Sequence, residues 1–550
     1  MKTKSTLFAA ALLALASHGF ADTYYLAKNT TDSAASDPWR EGGIWTNATG
    51  KAYTITASGE GADDNEFVVV GTNVLRGIKG SDTQTVFPET VFPGKTLTLI
   101  SSSSSVFDPR SVKWTIPNLI VDTTSAADDA VVIDSNGAGF NLGAENAEAI
   151  TIEGTNLTIK TKSDLYAVYD IHGGGWTRNF KISSPLTGSG NLMLRTRWAG
   201  DSTATKNFYL TGDNSRFTGR LCITGYSEAK PVAWLHVTDA KQLGGNPETL
   251  QQRGLELCRI ANMKFTGSDI VVDQPNRGLY INQPNAGDTG AKGRIDVESG
   301  RSVVYTGPWS FDASSRVLPK YGAGSLYLSG GLYPGGTPGW FQIHYGVLKL
   351  NAQDFNMQNT AKVQKGGGIL QIGSNGVARI NKAYVTYTGS LELVDTATLE
   401  LFKSGNVDYV PITTNAILNS GTTLSCPSNG TVSASAPALV VRGGSTLDFT
   451  LHGSSDTNKL ALSKAVTLDA TAENPVKVKL HAADASKFVC DTDYVLVSGG
   501  SFPSDAVTSG KIGIESAEVA GNDVLRFCRL SVDSGNLVVR RFRGLSLTVR

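Results

Sequence analysis

The stretch "KYGAGSLYLSGGLYPGGTPGWFQIHYGVLKL", residues 320–350, decides the fold. Leu326 with Leu328, and Leu348 with Leu350, keep a spacing of two inside a glycine-rich frame. That spacing puts both leucines of a pair on one side of a strand. The glycines between the runs mark sharp turns, where a backbone free of a Cβ reaches positive φ at low cost. Strands this brief cannot form a stable sheet alone, so each must stack on similar strands elsewhere in the chain.

The same rhythm runs outward in both directions. "EFVVVG", "KTLTLI", "WTIPNLIVD", "AVVID", "AITIEGTNLTIKT", "NLMLR" and "FYLTG" precede it; "ILQIG", "SLELVD", "ATLELF", "ALVVRG", "STLDFTL", "VKVKL", "YVLVSG" and "NLVVRR" follow. Each is ~4–7 residues long, the usual strand length. Segments also resemble one another: "LTGSGNLML" (186–194) is similar to "LPKYGAGSLYL" (318–328), and "FYLTGDNSRFTGRLCI" (208–223) to "LYLSGGLYPGGTPGWFQI" (326–343). Self-similarity with turn-bounded strands predicts a β-solenoid with coils of ~22 residues, each inward side chain joining a shared apolar stack. Two stretches within residues 237–257, "VTDAKQLG" and "PETLQQRGLEL", read instead as short turns of helix.

Composition agrees. Glycine makes up 60 of 550 residues, above the roughly 7% of average usage, and charged residues are 18%, below the usual ~25%. Lys plus Arg and Asp plus Glu each number 49. That balance argues against a nucleic-acid partner, which calls for a basic excess or stripe. Arg540, Arg541, Arg543 and Arg550 form the one local basic cluster, read as the solvated face of a last strand or as a docking patch. Lys2 and Lys4 precede the apolar run "LFAAALLALA" (7–16) and a small-x-small site ending at Ala21, which predicts a cleaved signal peptide over 1–21. No later stretch is long and apolar enough to span a bilayer, so none is expected after cleavage. The domain plan that follows is an N-terminal cap at 22–62 with Trp39 and Trp45, a β-helix over 63–480, and a C-terminal β-strand region at 481–550 closing the solenoid.

The pattern L-x-K-x-G-x-G-x-L-x-L-S-G at Leu318–Gly330, with G-x-L-x-L at Gly346–Leu350 and "DAKQLGG" at 239–245, resembles the autotransporter-associated β-strand repeat. Copies fall at about 182–225 and 316–350. The resemblance implies an all-β, right-handed parallel β-helix exported to the bacterial surface. Members of that family end in a translocator barrel, whose strands need ~9–11 residues each; the short strands before Arg550 do not supply it, so export by a separate machine, or periplasmic retention or release, is the expectation.

Chemistry is sparse. Asp63-Asp64 and Asp128-Asp129 are adjacent pairs that read as solvated turns, since strand neighbours point to opposite faces. "SDLYAVYDIHGGGW" (163–176) is the most site-like stretch. Asp164, Tyr166, Asp170 and His172 share parity, and with Arg195 and Arg197 nearby they form the candidate acid–base set: Asp164, Asp170, His172 and Arg195. His236, His344, His452 and His481 stand without a sequence partner, and Trp198, Trp234, Trp309 and Trp340 read as core packing or as sugar-stacking platforms. Cys222, Cys258, Cys426, Cys490 and Cys528 lack C-x-x-C spacing, which argues against a thiolate metal site. Cys222 with Cys258, and Cys490 with Cys528, are the disulfide pairings to test; five buried apolar thiols are the alternative. No cofactor motif is present. The expected role is structural, adhesive or display, at the cell surface, outside the cell or in the periplasm; the alternative is a β-helix that binds or degrades polysaccharide, with surface or host-matrix glycans as partners.

Overall fold

In the computed structural model the apolar runs lie side by side as parallel rungs. It describes residues 22–543 except 31–37, 41, 56–63, 71–72, 78–88, 110–112, 135–149, 172–177, 197–204, 226–231, 283–292, 314–316, 356–361, 365–367, 380–384, 387–388, 405–406, 410–414, 428, 430, 435–437 and 454–457. Two compact units divide the chain: Met1–Glu248 with Cys258–Ala261, and Thr249–Leu257 with Asn262–Arg550.

In the first unit three sheets form the faces of a parallel β-helix. The first face stacks Thr23–Leu26, Glu66–Val70, Thr96–Ile100, Asn118–Asp122, Asn156–Lys160, Leu186–Gly188 and Arg216–Phe217, all parallel. The second runs from Leu75–Arg76 through Phe107–Asp108, Ala130–Asp134, Tyr166–Ile171 and Asn191–Thr196 to Leu221–Thr224. The third runs from Glu89–Val91 to Val232–Val237 through Lys113–Thr115, Ile150–Glu153, Arg178–Ile182 and Thr205–Leu210. Register makes the stack: Phe67, Leu97, Leu119, Leu157 and Leu186 face one another rung by rung, and all are buried. Each contributes about 1.5–3 kcal/mol by leaving water. At the start, Thr23–Leu26 pairs antiparallel with Trp45–Asn47. Trp39 and Trp45 are fully buried there; Trp45 Nε1 donates to Trp39 O at 2.9 Å, and the two rings pack on Phe67 and Phe92.

The second unit is built on the same plan. One face carries nine parallel strands, from Ile270–Val272 to Val466–Asp469. Its inner row reads Ile270, Val303, Leu326, Leu348, Leu370, Leu391, Ala416, Leu439 and Val466, every one buried. The ladders end in antiparallel pairs: Ile512–Val519 with Asn522–Asp523, and Asp493–Ser498 with Asn536–Arg541, which also takes Cys528–Asp533. Gly322 shows why the corners need glycine. Its φ is +71°, and a Cβ there would meet Val297 O at 2.0 Å on the rung below.

Two expectations need correction. A coil of ~22 residues holds only in the middle of the second unit, where Leu326, Leu348, Leu370 and Leu391 follow at 22, 22 and 21 residues; Ile270 to Val303 takes 33 and Leu439 to Val466 takes 27. In the first unit coils vary from 22 residues (Leu97 to Leu119) to 38 (Leu119 to Leu157). Of the two helical stretches, only one is helical: Ala240–Leu243 is a 3-10 turn whose cap is Asp239, its carboxylate accepting from Lys241 N at 2.9 Å. Gln251–Cys258 is a strand. Gly254 packs so closely on Arg277 that a Cβ would lie 2.5 Å from its Cγ, and this tertiary fit overrides local helical preference. A further 3-10 turn, Ala352–Phe355, follows Val347–Asn351 as the Asp239 turn follows Val232–Val237.

Candidate functional site

The second face of the first unit carries a polar column near the C-terminal ends of its strands. Asp134 pairs in register with Asp170, Asp170 with Arg195, and Arg195 with Thr224; on lower rungs Arg76 pairs with Asp108. Asp108, Asp134 and Asp170 are 6%, 7% and 2% exposed. Rungs lie ~4.8 Å apart, so stacked carboxylates repel unless cations or protons intervene. Arg195 supplies one cation. Its Nε donates to Asp170 Oδ1 at 2.6 Å and its Nη2 to Oδ2 at 2.7 Å. These hydrogen bonds to Asp170 outweigh desolvation and raise the guanidinium above its ordinary value, with Asp129 and Asp134 adding to the effect.

The strand Tyr166–Ile171 is buried on both of its sides. Tyr169 points inward, its ring 5.9 Å from Phe180. Tyr166, Val168 and Asp170 therefore occupy the outward side, yet they too are shielded. Tyr166 and Val168 belong to an apolar cluster with Cys222, flanked by Val131, Met193 and Cys258. The sequence alternation does not reveal this second buried layer, because Tyr166, Asp170 and Arg195 read as solvent-facing by type.

Asp164 stands apart from the column. Its side chain is 80% exposed in the turn before the strand, where Arg220 Nη2 approaches Oδ1 at 3.3 Å. Six residues of extended chain separate it from Asp170, roughly 20 Å. His172, Trp176, Arg197 and Trp198 lie outside the described residues. The structure thus joins Asp170 to Arg195 and keeps Asp164 away from both.

The other candidates resolve individually. Asp129 Oδ1 accepts from Tyr166 N at 2.9 Å, and Asp128 and Asp64 are exposed; Asp63 lies outside the described residues. Arg540 grips Asp493 through both oxygens at 2.6 Å, Arg543 reaches Asp491 at 3.2 Å, and Arg541 Nη1 donates to Phe488 O at 2.9 Å; Arg550 lies outside the described residues. Trp309 is core, edge-on to Phe311 and Phe341. Trp234 is half-buried on an outward row with Tyr209 and His236, whose rings stack at 4.6 Å; His236 Nε2 contacts Asn207 Oδ1 at 3.0 Å.

One constellation escapes sequence reading. His481 Nε2 lies 3.1 Å from Asp448 Oδ1, and Ser425 Oγ lies 3.4 Å from Asp448 Oδ2. The three come from three successive rungs, which no local spacing encodes. Asp448 sits in the middle, so the serine touches the acid and not the imidazole. That order does not activate a serine nucleophile, which needs the base beside the hydroxyl. Burial raises the Asp448 pKa, with His481 opposing.

Parallel rungs, stacked inner rows and glycine corners define a parallel β-helix protein. Comparison with family models, with curated proteins and with solved structures found no match to this chain. Among the described residues no helix is long and apolar enough to cross a membrane.

Proposed function

We propose that the protein is an exported β-helical scaffold with a structural, adhesive or display role, in keeping with its resemblance to autotransporter-associated repeats and with the signal-like segment at 1–21. The observation that carries this reading is the fate of the candidate acid–base set. Asp170 is fully engaged by Arg195 in a shielded column, while Asp164 is exposed at the far end of the strand. Of that set, Asp170 and Arg195 thus support the wall of the solenoid. Presentation then arises from loops and outward rows fixed on stiff rungs. The test is incubation of the full chain with acidic and neutral polysaccharides, recording unsaturated or reducing products. No product, together with recovery of the chain outside the cytoplasm, fits the scaffold; turnover sinks it.

A second reading, polysaccharide binding without turnover, has its own support in the outward row of Tyr209, Trp234 and His236 beside Asn207. Aromatic rings flanked by a planar amide suit the apolar face and hydroxyls of a sugar ring. Retention on a polysaccharide column, lost on Trp234→Ala with the fold intact, is the expected result. Equal retention of the variant counts against this reading.

A further inference from the structure

Cys222 lies on the strand Leu221–Thr224, fully buried, and its Sγ is 3.5 Å from Cys258 Sγ, which is half-buried. Both residues belong to the first unit and to the apolar cluster on the outward side of its second face. The sulfurs are in contact, and the roughly 2.05 Å of a disulfide lies only about 1.5 Å inside their separation. The other pairing read from the sequence fails on geometry. Cys490 and Cys528 both pair with Arg541, from opposite sides of its strand. Two strand spacings, roughly 9.5 Å, separate their backbones, beyond the ~7 Å limit for a disulfide. Cys426 and Cys528 are further disfavoured because burial pushes their thiols up to about 12 and about 11.

We propose that Cys222 and Cys258 are a redox-active dithiol that closes to a disulfide when a disulfide-bearing oxidant reaches Cys258. Exposure orders the steps. The accessible Cys258 thiolate attacks one sulfur of the oxidant, forming a mixed disulfide and expelling the first thiolate. Cys222 Sγ, already adjacent, then attacks Cys258 Sγ and expels the second thiolate. The dithiol loses two electrons and two protons; the oxidant gains both electrons, and the protons end on its two released thiols. The product ties together the ends of a 36-residue separation and removes those conformers from the unfolded chain.

The experiment uses the full chain, reduced and then treated with oxidised glutathione. Peptide mapping without reductant is expected to recover the Cys222 and Cys258 peptides joined and two hydrogens lighter, with two glutathione thiols released per chain and a higher thermal midpoint. Cys222→Ser is expected to stop at a glutathione adduct on Cys258, whereas Cys258→Ser leaves Cys222 unreacted in the folded state. The wild-type map decides the pairing even should a variant fail to fold. Recovery of both residues as alkylatable thiols, or linkage of either to Cys426, Cys490 or Cys528, overturns the proposal. Equal glutathione capture by Cys222 and Cys258 in the two single variants overturns the order of attack.

Discussion

The ammonium of Lys320 reaches the carbonyl of Tyr345, 25 residues further on, at 3.3 Å, while also donating to Tyr321 O at 2.7 Å and Gly322 O at 2.8 Å. One buried lysine thus ties two consecutive corners of the second unit, which gives the lysine of the L-x-K-x-G motif a structural task. Burial lowers its pKa to about 8, with Asp296 opposing. The folded value lies below the unfolded one, so the native state releases a proton first and stability rises with pH between about 8 and 10.5. Relative to Lys320→Met, the wild type should gain about 3 kcal/mol across that window. Urea titrations of both proteins at several pH values check it; parallel pH profiles refute it.

Asp354 should tilt stability the other way. It accepts from Leu332 N at 2.9 Å, and burial pushes its carboxyl up to about 6. The folded value exceeds the unfolded one, so the associated stability is full below about 3.8 and is lost as pH rises through 6. Asp354→Asn keeps a carbonyl acceptor and abolishes the titration. Wild type should lose about 3 kcal/mol relative to this variant between pH 3.8 and 7. Denaturant midpoints across that range provide the measurement.

Inner and outer rows should respond differently to truncation. Leu348 is fully buried between Leu326 and Leu370, and Leu348→Ala should cost about 2–5 kcal/mol. Lys349 is next along the strand but faces out, with its Nζ 4.3 Å from the Tyr327 ring and 2.7 Å from Asp395. Lys349→Ala should cost about 1 kcal/mol or less. Comparable losses at the two sites would contradict the assigned faces.

Breaking the Asp170–Arg195 pair should be asymmetric. Arg195→Met removes both charge-assisted hydrogen bonds from a carboxylate whose side chain has no exposed surface, at a cost of about 3 kcal/mol. Asp170→Asn frees a guanidinium that is 29% exposed and can rehydrate, so its cost should be smaller. The double variant should recover part of the Arg195→Met loss. A thermodynamic cycle by chemical denaturation reads all three.

Corner glycines separate strain from collision. Gly335 has φ +73° with open space where a Cβ would go, so Gly335→Ala should cost about 1 kcal/mol. At Gly346, with φ +67°, a Cβ would lie 2.2 Å from Gly324 O on the preceding rung. Gly346→Ala should cost at least about 2 kcal/mol more than Gly335→Ala. Thermal melts of the pair test this, and equal midpoints would count against rung-to-rung contact at that corner.

The sequence by itself determined the local grammar. Alternation in Leu326–Leu328 and Leu348–Leu350 marked strand faces, and the glycines at 322 and 346 marked corners, because side-chain direction and turn conformation depend on a few neighbouring residues. The tertiary structure alone decided which rung meets which. Asp170 meets Arg195, 25 residues away and in register, and Asp448 meets His481, whose register partner is Thr450, only because coils of unequal length lay their rungs side by side. It also decided that the outward side of Tyr166–Ile171 is buried, and that Cys222 touches Cys258 while Cys490 and Cys528 stay apart. Register between coils depends on the length of every intervening corner, and no short window of residues contains that information.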